Sequence, residues 1–220
     1  MALAFVLTPF VVMAGTLKVD AILPVYKIDQ GCSAVAIKIN KDVRLLTAAH
    51  CTKGNTEGYL DIETRDEDFK MVRIDGKFYE VPKSDVAVDL ALLKIRDPLF
   101  VPVTASIAEK VLVDEGDDVW TVGYPLGATR TVTKGLFNGF QVDQFRSTSF
   151  IDMFRASPNI DSGNSGGGLF QKNGDKYELI GITSMKYNAN NHMGLYVTLD
   201  DIHKFVRFVK VDNTHKLDAR

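Results

Sequence analysis

Short apolar or alternating runs dominate the chain. Six read as strands: Ala34–Ile39, Val43–Thr47, Leu90–Ile95, Val119–Val122, Thr131–Phe137 and Leu179–Met185. Asp75-Gly76 lies between Met71–Ile74 and Lys77–Val81, and Asn173-Gly174 lies before Lys176–Ile182. Both dipeptides supply the positive φ angles that tight hairpins require. Many short strands with Gly-rich turns indicate an all-β sandwich or barrel. One segment near the C-terminus has a helical period. Ile202, Phe205, Val206 and Val209 form one apolar face behind a cap at Asp200 or Asp201. The stretch Pro98–Asp118, with two prolines and then an acidic turn, divides the chain into two β units of similar size.

Composition changes this picture little. The chain has 220 residues, 45% hydrophobic and 25% charged, which is enough to build one or two cores. A net charge of −2 without any basic stripe argues against nucleic acid as a partner. No apolar run reaches the length of a standard membrane span. Met1 to Leu17 is almost wholly apolar, as in a signal-peptide core, with Val12-Met13-Ala14 as a small-residue cleavage site. The alternatives are an uncleaved leader or a first buried strand. Removal of this leader would leave no stable membrane span and place the protein outside the cytoplasm, secreted or periplasmic. Cys32 and Cys51 alone cannot supply a four-ligand zinc site, and no CxxC motif is present. They are either a disulfide, in an oxidising compartment, or two buried thiols.

The candidate chemistry lies at three places. Gly163-Asn164-Ser165-Gly166-Gly167-Gly168 crowds glycines around one serine, so the backbone can turn sharply and approach a bound group closely. Two convergent N–H groups in such a turn would make an oxyanion hole beside the hydroxyl. A flexible Gly/Ser loop is the plainer reading of that string alone. Leu45-Leu46-Thr47-Ala48-Ala49-His50 ends an apolar strand in small residues and then a histidine. Asp89 stands at the mouth of another apolar strand, where a carboxylate is costly to bury unless a partner hydrogen-bonds to it. Serine, histidine and aspartate together form a nucleophilic triad. The imidazole takes the serine proton, and the carboxylate fixes its tautomer. Their order, His50, Asp89, Ser165, is the chymotrypsin order.

Thr47-Ala48-Ala49-His50-Cys51, Asp89-Leu90-Ala91-Leu92-Leu93 and Gly163-Asn164-Ser165-Gly166-Gly167 resemble the three catalytic motifs of chymotrypsin-fold serine proteases. The resemblance runs from about Gly31 to Val209. It is nearest to the high-temperature-requirement (Deg) type and related bacterial trypsin-like peptidases, through Val122-Gly123-Tyr124-Pro125-Leu126-Gly127 and Thr131-Val132-Thr133-Lys134-Gly135. It implies two six-stranded antiparallel β-barrels and a C-terminal helix. The expected divisions are 18–100 with His50 and Asp89, a linker at 101–118, 119–199 with Ser165, the helix at 200–210 and a tail at 211–220. It also implies general-base then general-acid work by His50, orientation by Asp89, and acylation of Ser165. The N–H groups of Gly163 and Ser165 would form the oxyanion hole. Cys32 and Cys51 resemble the histidine-loop disulfide. Asn164 replaces the aspartate that pairs with a newly cut N-terminus in zymogen-type relatives, so activity without such cleavage is expected. The peptide-binding PDZ domain usual in the Deg type has no counterpart in the sequence.

By the same resemblance Asn159 lies near the base of the specificity pocket, with Ile160 and Asp161 adjoining. Ser184, Met185, Lys186 and Gly194 line its walls. Without a basal aspartate, a Lys/Arg preference is not expected. Met185 favours a medium apolar side chain, whereas Lys186 or His192 would recruit an acidic one, unless both are solvated rim residues. Asp85 is the competing acid of the triad. Asp61, Glu63, Asp66, Glu67 and Asp68 read as a solvated acidic face rather than a calcium loop, so neither metal nor cofactor is expected. The expected function is a serine endopeptidase acting on polypeptides. A catalytically silent protease-fold binding protein and an esterase with the same triad are the alternatives.

Overall fold

The computed structural model describes residues 17–28, 31–52, 59–64, 70–75, 88–95, 102–145, 149–186 and 193–215. The leader before Leu17, Asp85, His192, Asp66, Glu67, Asp68, the Lys77–Val81 strand and the final five residues of the tail lie outside them. The chain is mostly β. Six strands form the first sheet: β1 (Val25–Ile28), β2 (Cys32–Ile39), β3 (Asp42–Thr47), β4 (Tyr59–Thr64), β5 (Lys70–Asp75) and β6 (Ala91–Ile95). Their antiparallel order β1-β2-β3-β6-β5-β4 returns to β1, a closed six-stranded barrel. The second sheet contains β7 (Asp118–Gly123), β8 (Thr131–Phe145), β9 (Ser149–Ala156), β10 (Gly168–Asn173), β11 (Lys176–Lys186) and β12 (Gly194–Val197). Its order is β10-β11-β12-β9-β8-β7, and β7 pairs in turn with β10.

The apolar patterning has a direct structural consequence. Every residue of β2 except Lys38 is buried. Val35, Ile37, Leu46 and Leu92 of the first sheet share one core cluster with Val122, Phe170, Leu179 and Ile182 of the second. The segment after β6 straps the two together. Ala105 bridges to Ile37 and donates its N–H to the Ala36 carbonyl at 2.8 Å, while Ile107 bridges to Leu179. The stretch expected to link the units is thus also bonded to both. Buried Gln171 secures its far end, accepting from Leu112 N at 2.8 Å and donating to the Lys110 carbonyl at 2.9 Å.

The structure departs from the sequence pattern in three places. Asn173 pairs with Lys176, so the turn residues are Gly174 and Asp175, with φ +59° at Gly174. The strand expected to end at Phe137 continues to Phe145. It passes Asn138-Gly139 as a bulge, with φ +76° at Gly139. The C-terminal helix runs Leu199–His215, and its cap is Thr198 rather than Asp200 or Asp201. Thr198 Oγ1 accepts from Asp201 N at 3.3 Å and donates to Asp201 Oδ2 at 3.1 Å, a reciprocal capping pair. Ile202, Phe205 and Val206 are buried as the helical period requires; the side chain of Val209 lies outside the described residues.

Candidate active site

His50 sits in a short 3-10 turn, Ala49–Thr52, where β3 leaves the first barrel. Asp89 lies just before β6, which is paired with β3, so strand register brings the two together. Asp89 is 1% exposed. It is not isolated there. Its Oδ1 accepts from the His50 backbone N at 2.9 Å, and its Oδ2 faces His50 Nδ1 at 2.8 Å. The Ser184 hydroxyl donates to the same Oδ2 at 2.6 Å. Burial alone would favour the neutral acid. The hydrogen bonds and charge from His50, and the bond from Ser184, outweigh it and hold the carboxyl below the usual carboxylate range. Asp85, the competing acid, lies outside the described residues.

This shift gives a pH prediction. A carboxyl depressed on folding contributes stability that is present above its unfolded value near 3.9 and is lost as pH falls through the folded one. The urea midpoint should therefore fall between pH 5 and pH 2.5, and should fall less in Asp89→Asn than in the natural chain.

The nucleophile loop is fastened from both sheets. Gly163 has φ +97° and Gly166 φ +82°, a region open to glycine at little cost. Ser33, fully buried in β2, reaches across from the first barrel. Its N–H donates to the Ser165 carbonyl at 2.8 Å and its hydroxyl to the Gly163 carbonyl at 2.7 Å. The same hydroxyl accepts from Tyr124 N at 2.9 Å. Thr47 Oγ1 in turn donates to the Ser33 carbonyl at 2.7 Å. Ser33 belongs to none of the three sequence motifs, and its signal is a polar residue within the apolar run of β2.

Among the loop amides, Asn164 N donates to the Asp161 carbonyl, Gly166 N to the Thr183 carbonyl and Gly167 N to the Asn164 carbonyl. Gly163 N and Ser165 N have no such backbone partner among the described residues. Ser165 Oγ donates to the Ser184 carbonyl at 3.4 Å, a long hydrogen bond. Among the described residues no hydrogen bond joins Ser165 Oγ to the His50 ring, so the structure brings His50 and Asp89 together and leaves the serine hydroxyl turned to the Ser184 carbonyl.

A Cβ on Gly166 would collide with the Ser33 carbonyl and Thr47 Oγ1, and would press on Ala48 N at 3.1 Å. Gly166→Ala should thus destabilise the fold. The positive φ alone costs about 1–3 kcal/mol, so Tm in a thermal melt should fall by roughly 2–12 °C or more.

The expected pocket residues divide. Ser184 is buried and its hydroxyl is committed to Asp89. Ile160 and Gly194 are buried, and Met185 packs on Met153 and Leu195. Asn159 is exposed, and its carbonyl accepts from Thr133 Oγ1 at 3.0 Å. Lys186 is an ion-pair partner: its Nζ lies 2.5 Å from Asp161 Oδ1, which also accepts from Ser162 N at 2.7 Å. The lysine draws the Asp161 carboxyl below its ordinary range, chiefly through that hydrogen bond. A disulfide joins Cys32 to Cys51, with Cα atoms 6.0 Å apart, and ties the start of β2 to the turn that carries His50. In the chain-entropy view a closure of this length is worth about 3 kcal/mol.

Residues 32–182 match the family described as trypsin-like peptidase domain. The chain belongs to this family. Two relatives agree: Protease Do-like 2, chloroplastic, of Arabidopsis thaliana is 31% identical over 77% of the chain, and Serine protease Do-like HtrA of Bacillus subtilis is 34% identical over 51%. The chain spans 26% and 25% of the length of these two proteins. Among solved structures, the inactive form of Rv3671c from M. tuberculosis superimposes with a TM-score of 0.71 at 19% identity, covering 95% of this chain and 98% of that one. That likeness extends to the fold.

Proposed function

We propose that this trypsin-like peptidase domain is a serine endopeptidase that hydrolyses polypeptides through an acyl-enzyme on Ser165. The observation that carries this reading is the buried Asp89 carboxylate, bonded at once to His50 Nδ1, His50 N and Ser184. That arrangement fixes the imidazole with Nδ1–H toward Asp89 and Nε2 free to accept a proton. His50 then takes the Ser165 proton during attack and returns it to the leaving amine. The Gly163 and Ser165 N–H groups receive the charge that develops on the carbonyl oxygen, in keeping with their lack of backbone partners. In this reading both sheets are barrels of the chymotrypsin type, divided near residues 101–118, with the substrate cleft between them.

For specificity we favour a medium apolar side chain. Met185 is seated in an apolar cluster, and the charge of Lys186 is already met by Asp161. Digestion of a peptide library, read by mass spectrometry, should give cuts after apolar residues. Cuts concentrated after Asp or Glu would contradict the pocket assignment. No cleavage of any peptide would favour a silent binding protein, a reading for which the long Ser165 hydrogen bond to Ser184 is the one structural support. Hydrolysis of small esters alone would favour the esterase. The disulfide fits export to an oxidising compartment. Cleavage after Ala14 would leave the half-buried Leu17 and the buried Ala21 in place.

A further inference from the structure

Three potential metal ligands converge beside the nucleophile loop. The Sγ atoms of Cys32 and Cys51 and a ring nitrogen of His50 all lie within 4.8 Å of one another. Both cysteines are buried, while His50 stands at the solvent edge with its side chain 36% exposed. Cys51 Sγ is also 3.6 Å from the Ser165 carbonyl oxygen; as a disulfide sulfur it has no proton to donate there. Two cysteines do not complete a zinc shell, but the fold adds an imidazole to them.

In the oxidised protein the sulfurs are bonded to each other and offer no thiolate. Reduction changes the chemistry. A dithiol reductant gives two electrons and two protons, the S–S bond breaks, two protein thiols form, and the reductant leaves as its own disulfide. A Zn²⁺ ion then displaces both thiol protons to solvent and binds the two thiolates. Sulfurs on a tetrahedral zinc at ~2.3 Å stand ~3.8 Å apart, a separation that side-chain rotation supplies across Cα atoms 6.0 Å apart. His50 Nδ1 is committed to Asp89, which leaves Nε2 for the metal. The resulting carboxylate–histidine–zinc relay is the usual outer-shell arrangement for a zinc-bound imidazole.

We propose that the reduced protein binds Zn²⁺ through Cys32, Cys51 and His50, and that this occupancy silences the active site. Metal on Nε2 removes the lone pair that would accept the Ser165 proton. The disulfide is then a guard as well as a brace: while it is closed, zinc cannot take the catalytic imidazole. The silencing rests on the peptidase reading above; the binding does not.

The test uses the full chain reduced with a phosphine. The phosphine becomes its oxide, taking its oxygen from water while the protons of that water go to the thiols. Cobalt(II) is the probe. One equivalent should give thiolate-to-cobalt absorption in the near ultraviolet and tetrahedral bands in the visible, both abolished by Zn²⁺. Cys32→Ala and Cys51→Ala should each lose the thiolate band, and His50→Ala should shift the visible bands. Near-ultraviolet circular dichroism checks that the reduced chain stays folded. One equivalent of Zn²⁺ should abolish peptide cleavage by the reduced protein, a chelator should restore it, and the oxidised protein should be indifferent. Absence of a stoichiometric thiolate band in the folded reduced chain would overturn the proposal. So would cobalt binding seen only after tertiary structure is lost, equal binding by the oxidised chain, or reduced protein that holds zinc and still cleaves peptide. Failure of the peptidase reading shows separately, as no cleavage by the oxidised, metal-free protein.

Discussion

Replacing Asp89 by asparagine is expected to lower kcat for peptide hydrolysis about 10⁴-fold with little change in KM. The reason is the orientation of the new amide. The backbone N–H of His50 needs an acceptor and takes the amide oxygen in place of Oδ1. The NH₂ group must then occupy the Oδ2 position, facing His50 Nδ1 and the Ser184 hydroxyl. A donor there obliges Nδ1 to accept, so the ring proton moves to Nε2. That tautomer cannot take the Ser165 proton. The loss corresponds to about 5.4 kcal/mol of transition-state stabilisation, at 1.36 kcal/mol per factor of ten. Steady-state kinetics on a peptide substrate measures it directly. A fall in kcat of less than about tenfold, in a folded variant, would mean that His50 does not depend on Asp89 for its tautomer.

Much of this site was legible in the sequence because its parts are local. His50 ends an apolar strand in small residues, Asp89 opens another, and Ser165 sits among glycines. Each motif announces a backbone conformation as well as a side chain, and the pairing of β3 with β6 brings His50 to Asp89. Ser33 was hidden because its role is long-range. It holds the Gly163 and Ser165 carbonyls from the opposite barrel, and nothing adjacent to it in sequence indicates that. The pairing of Lys186 was hidden for the same reason. Its partner Asp161 lies 25 residues earlier, so a cation that the sequence offers for recruiting acidic substrates is already paired in the fold. The helix cap moved from Asp200 or Asp201 to Thr198 because threonine and aspartate three apart satisfy each other, and periodicity alone does not distinguish which of them leads. Asn138-Gly139 shows the converse: turn chemistry is also bulge chemistry, and the partner strand decides between them.

The largest effect should come from the nucleophile itself. Ser165→Ala should reduce kcat on the order of 10⁶-fold, because without the hydroxyl neither acylation nor the work of His50 has an object. Among the described residues the Ser165 side chain makes one long hydrogen bond, to a backbone carbonyl, and the fold is fastened through the Ser165 and Gly163 carbonyls instead. The variant should therefore keep the native melting temperature, so lost activity reads as lost chemistry. Treating the oxidised chain with a fluorophosphonate, followed by peptide mapping and a casein assay, tests the acyl-enzyme claim most directly. The account predicts one phosphonylated residue, Ser165, with labelling and casein cleavage both absent in Ser165→Ala. An unlabelled natural chain that is fully folded, or casein cleavage that survives in Ser165→Ala, would contradict it.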